Sequence, residues 1–75
     1  MAKAYVLINA EIGAEADVLK AVSKIPEVKE AYMVYGVYDI ITMVEATTMQ
    51  ELKDVISWKI RRLENVRSTI TMIVL

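Results

Sequence analysis

The stretch VKEAYMVYGVYDIITMVEA, residues 28–46, decides the fold. Val28 to Tyr35 and Tyr38 to Ala46 are runs rich in Val, Ile, Tyr and Thr, separated only by Gly36-Val37. Such a pair reads as a β-hairpin, with Gly36 supplying the positive φ that a tight turn requires. On its N-terminal side stands Pro26, which ends any preceding helix because the residue before a proline disfavours the α region. Val18, Ala21, Val22 and Ile25 recur at the spacing of one helix face, so a helix is expected over residues 14–24. Gly13 separates it from Ala4 to Ala10 (AYVLINA), an apolar run too short for a helix and read as a strand buried on both sides.

Beyond the hairpin, Thr48-Met49-Gln50-Glu51 fits a capping box, with Thr48 as N-cap and Glu51 reaching back. The helix it opens carries Leu52, Val55, Ile56, Ile60 and Leu63 on one face. Lys59, Arg61 and Arg62 fall in its last turns, where cations suit the helix dipole, and Asn65 follows as a C-terminal cap. Val66 to Leu75 is the last strand. The order β-α-β-β-α-β, two right-handed crossovers joined by a hairpin, is the ferredoxin-like α+β arrangement. It has a four-stranded antiparallel sheet with both helices on one face. Its first and third strands are central, its second and fourth are edges. Lys29 and Glu30 on the second strand and Arg67 on the fourth agree, since edges are protected by charge.

A chain of 75 residues holds one domain, here residues 1–75. A domain of this size buries only about 60% of its unfolded surface, and small proteins offset that with disulfides, metals or association. The chain has no Cys and no His, so disulfides are excluded and neither a zinc nor an iron–sulfur staple is expected. Association remains, and it fits a hydrophobic fraction of 56%. The alternation points the same way. In the first strand Tyr5 and Leu7 oppose Val6 and Ile8; in the third Tyr38, Ile40 and Val44 oppose Ile41 and Met43; in the fourth Ile70, Met72 and Val74 oppose Ile73 and Leu75. Whichever set the helices cover, the other is a large apolar patch, and such patches mark interfaces. A symmetric sheet-to-sheet dimer, a dimeric α+β barrel, is the expected outcome, against the alternative of a monomer with a greasy surface.

A net charge of −1 with evenly spread acids and bases lacks the basic stripe that nucleic acid requires, so no direct nucleic-acid contact is expected. No apolar run is long enough for a bilayer, and Met1-Ala2-Lys3 leads into a strand without a signal-peptide pattern; a cytoplasmic protein with no membrane partner is expected.

Residues for chemistry are few. Without His or Cys the commonest general base and soft nucleophile are missing, and Ser23, Ser57 and Ser68 stand in no nucleophile elbow. Asp39 and Glu45 are the carboxylates that a small cavity enzyme of this fold would use, but neither has an acidic neighbour, and both read first as ordinary solvated or turn-bonded groups. Tyr32, Tyr35 and Tyr38 suggest a stacking platform for bases, yet only Tyr5 and Tyr38 fall on central strands, beside aliphatic neighbours. Packing or interface tyrosines are the better reading, and Trp58, beside the helix stripe, is read likewise. In Tyr35-Gly36-Val37-Tyr38-Asp39 a glycine, open backbone groups, an aromatic and a carboxylate lie together. On the residues alone, Gly36 makes the turn and Asp39 bonds its backbone.

The segment Ile25-Pro26-Glu27-Val28-Lys29-Glu30-Ala31-Tyr32, followed by Gly36-x-Tyr38-Asp39, resembles the Lrp/AsnC effector domain, the RAM domain (regulation of amino-acid metabolism). Residues 66–75, VRSTITMIVL, resemble the family's closing V-x-x-T-x-T-x-I-V-L, and the likeness covers essentially the whole chain. The resemblance implies a non-enzymatic ferredoxin-like domain dimerised through its sheets, with dimers forming rings, commonly octamers, and no cofactor. It implies that amino acids or related effectors bind between dimers. The matching positions are Gly36, Tyr38 and Asp39 in the turn and Thr69 and Thr71 in the last strand. Asp39 would accept the ligand's α-ammonium, turn amides near Gly36 would hold its carboxylate, and the threonine hydroxyls would orient it. Two departures stand out. Most members carry an N-terminal helix-turn-helix reader, and this chain instead resembles the stand-alone RAM proteins, expected to modulate transcription with full-length Lrp/AsnC regulators as possible co-assembly partners. Tyr35 stands where the family often has threonine. Two rivals to amino-acid sensing remain: a purely structural assembly partner, and the small cavity enzyme.

Overall fold

In the computed structural model, which describes residues 1–75, the elements run β1 (Ala2–Ala10), α1 (Glu15–Ser23), β2 (Val28–Met33), β3 (Ile40–Ala46), α2 (Met49–Asp54) continued by a π-helical turn (Val55–Ile60), and β4 (Val66–Ile73). The sheet order is β2-β3-β1-β4, every neighbouring pair antiparallel, as the ferredoxin-like topology requires. No helix is long and apolar enough to cross a membrane.

The alternation along each strand sorts the sheet into two faces. Ala4, Val6, Ile8 and Ala10 of β1 and Ile40, Val44 and Ala46 of β3 are buried beneath the helices. Onto them pack Val18 and Val22 of α1 and Leu52, Val55, Ile56 and Ile60 of the second helix, the stripes expected from spacing. Thr42 is the one polar residue buried in this layer, and its hydroxyl donates to the Val6 carbonyl at 3.0 Å. The opposite face has no helix. Tyr5 and Leu7 of β1, Ile41 and Met43 of β3, and Ile70 and Met72 of β4 pair across it in register, and nearly half of the Ile70 and Met72 surface is exposed.

Local sequence explains the ends. Thr48 caps α2, its Oγ1 accepting the Glu51 N–H at 3.1 Å, which is the first half of the expected capping box; the Glu51 carboxylate makes no return bond. Asn65 adopts φ 70°, a left-handed conformation that Asn tolerates better than most residues, and so turns the chain from helix into β4. Gly13, at φ 88°, makes the corresponding reversal between β1 and α1.

The hairpin differs from expectation. Gly36 does not adopt a positive φ, and it sits in a connection longer than two residues, because β2 stops at Met33 and β3 starts at Ile40. The reason lies in Asp39. Its N–H donates to the Ile8 carbonyl at 3.0 Å while its own carbonyl accepts the Val34 N–H at 2.8 Å. The loop therefore closes between Val34 and Asp39, and with four residues between them no left-handed residue is forced at position 36. The last strand likewise stops short of Leu75, although the Val74 N–H still donates to the Lys3 carbonyl at 2.9 Å.

Candidate functional site

Asp39 is held by more than its place in the loop. Besides the two backbone bonds, its Oδ2 accepts the Ala10 N–H at 3.0 Å. One carboxylate oxygen thus ties β3 to the end of β1, and Oδ1 has no partner in the protein. The expectation that Asp39 bonds backbone was right, but the backbone is that of β1, not of the turn.

On the other side of β1 the ladder to β4 is irregular. Asn9 pairs with Ser68 and Ala10 with Val66, which leaves Arg67 as the extra residue of a β-bulge. Bulges re-aim side chains and are frequent beside functional sites. Here the bulge brings Arg67 to the same end of β1 as Asp39. Glu15, at the start of α1, completes a cleft of about 470 Å³. Asn9 and Ser68 supply an amide and a hydroxyl, and Ile12 and Val37 supply apolar wall. The volume falls within the range of about 300–1,000 Å³ usual for small-molecule sites.

The cleft holds two carboxylates and one guanidinium with no ion pair joining them; the one salt bridge of the chain, Lys59 to Glu27, lies elsewhere. Separated opposite charges in one cleft suit a ligand that carries both signs. Of the five residues singled out in the sequence, only Asp39 lines this cleft. Gly36 is exposed on the loop and Tyr38 is half-buried beside Asp39, neither lining it. Thr69 lines an adjoining concavity that shares Arg67 and Ser68 with this cleft and adds Arg61, just past the second helix. Thr71 lies exposed on β4 opposite Val6 and lines no cavity. Sequence reading missed Asn9, Glu15, Arg67 and Ser68. Asn9 carried a signal, being the one polar residue in AYVLINA. Arg67 was read only as edge protection, and nothing local announces a bulge.

Comparison with known proteins supplies the family. A model of the Lrp/AsnC ligand binding domain matches residues 3–75. The chain superposes on the crystal structure of FFRP-DM1 with a TM-score of 0.96 and 41% identity, covering 100% of both chains. It superposes on E. coli AsnC with a TM-score of 0.90 and 28% identity, over 99% of this chain and 50% of that one. An uncharacterized HTH-type transcriptional regulator of Pyrococcus abyssi is 34% identical over 70 residues, 93% of this chain and 44% of that protein. The chain thus spans less than half the length of the curated regulators it matches.

Proposed function

The chain belongs to the Lrp/AsnC ligand-binding domain family, and we propose that its Asp39 cleft binds a free amino acid as the effector of a transcriptional modulator. The observation that carries this reading is the pairing of an anchored carboxylate with an unpaired guanidinium across one small cleft. Asp39 receives the α-ammonium through its free oxygen and Arg67 receives the α-carboxylate, so the zwitterion spans the end of β1. Ile12 and Val37 then meet the ligand's side chain. Binding requires no catalytic group, and the module acts by changing how copies associate. The uncovered sheet face supports a dimer built sheet to sheet, with Tyr5, Leu7, Ile41, Met43, Ile70 and Met72 meeting their symmetry mates. Rings of such dimers, octamers among them, and co-assembly with full-length Lrp/AsnC regulators belong to the same proposal.

Calorimetric titration with each of the common amino acids tests it. At least one is expected to bind saturably, and Asp39→Asn, which keeps an acceptor for Ala10 but loses the charge, is expected to weaken it about tenfold or more. A wild type that binds none of them, or an Asp39→Asn variant that binds equally well, overturns the effector reading. The apolar face favours one rival specifically, a structural partner whose cleft stays empty. Light scattering distinguishes it, because that assembly keeps one mass whatever amino acid is added.

A further inference from the structure

Residues 59–67 carry four cations, Lys59, Arg61, Arg62 and Arg67. Two of them are engaged. Lys59 is salt-bridged to Glu27 at 3.1 Å, and the Arg62 guanidinium lies 4.7 Å from the centre of the Trp58 ring. The two without a partner, Arg61 and Arg67, line the same concavity of about 300 Å³, together with Val66, Ser68 and Thr69. No acidic residue lines it; Glu64, the acid of the intervening turn, is exposed and turned to no cation in an ion pair.

We propose that this concavity is an oxyanion site that takes a phosphate group, either inorganic phosphate or the phosphate of a small phosphomonoester. Arg61 and Arg67 line this concavity with no carboxylate among its walls, although Arg67 also borders the cleft of Asp39 and Glu15, and an oxyanion seated here meets both guanidinium groups. The Ser68 and Thr69 hydroxyls add short donors. Val66 is the one hydrophobic wall, which offers little to a nucleobase or an aliphatic chain, so the recognised group is the oxyanion itself.

The backbone holds both arms in place. Arg61 closes the π-helical turn, its N–H donating to the Ile56 carbonyl at 2.9 Å, and π turns are rare and recur at functional sites. The chain then reverses at left-handed Asn65, whose carbonyl accepts the Glu11 N–H at 2.8 Å and so ties the turn to the end of β1. Arg67 sits in the bulge just beyond. A built turn, and not a mobile loop, thus carries the two guanidinium groups.

Amide-resolved NMR titration of the full chain, without amino acids present, tests the site. Sodium phosphate and glycerol phosphate are added in separate arms, against sodium chloride at matched ionic strength. Saturable shifts are expected at Ser68 and Thr69 with phosphate and not with chloride, weakened about tenfold or more by Arg61→Ala. Tighter binding in the glycerol phosphate arm identifies a phosphomonoester; equal or weaker binding identifies the free ion; both support the site. Arg67 and Ser68 line both cavities, but Arg61 lines only this one and Asp39 only the other. Arg61→Ala therefore reports on the phosphate site, while Asp39→Asn, expected to keep phosphate binding, reports on the amino-acid cleft. Shifts that follow ionic strength alone, or that persist unchanged in Arg61→Ala, overturn the proposal.

Discussion

Gly13 is constrained by its torsion and not by its surroundings. At φ 88° it occupies backbone that L side chains adopt only with strain, although a Cβ there would meet nothing within 4 Å. Space is therefore not the issue; the torsion is. Gly13→Ala is expected to lower stability by about 1–2 kcal/mol, read as a reduced urea midpoint with an unchanged slope. An unaltered midpoint would show that the β1–α1 turn can relax. Gly36 behaves oppositely. It was expected to be the left-handed turn residue, yet the loop from Val34 to Asp39 is long enough to close without a positive φ. A glycine between two strands signals a reversal, but the number of residues spent in it depends on where the ladder stops, and Asp39 sets that point through Ile8 and Ala10.

Elements are joined by contacts that no single element announces. Glu27, in the turn before β2, meets Lys59 in the π-helical turn, 32 residues away. The hydrogen bond from Lys59 first, and the backbone amide of Glu27 second, hold this carboxyl below its ordinary value of 4.5. A carboxyl depressed in the folded state stabilises the fold above its unfolded value, and that contribution is lost as pH falls through the folded value. With the two side chains 49% and 24% exposed, solvent screening limits the effect to about 0–1 kcal/mol. Melting temperature is expected to fall as pH drops below 4.5, less steeply in Glu27→Gln than in wild type; parallel curves for the two would remove the pair from the account. The helices themselves were legible because Leu52, Val55, Ile56 and Ile60 repeat at helical spacing and all are buried. The π turn was not legible, since the same spacing suits an unbroken α-helix.

The whole molecule exposes on one sheet face what it buries on the other. Ile41 lies in the middle of that face, opposite Leu7 on β1 and Tyr32 on β2. If the face is covered by a second copy, as proposed, Ile41→Glu buries a charge without a partner and dissociates the dimer. Sedimentation equilibrium should then report the mass of one chain where wild type gives a multiple of it, and an undiminished mass would refute association through this face. The sequence by itself determined the topology and the two apolar faces, because strand and helix periodicities are local properties of the chain. It determined Asp39 as a residue of interest, but not what Asp39 meets. Only the tertiary structure decided that Asp39 and Arg67 share the end of β1, and that Arg61 and Arg67 share a concavity. The physical reason is register: β1 is central, β3 and the bulged β4 pair with it from either side, and a one-residue bulge has no signature in composition or period.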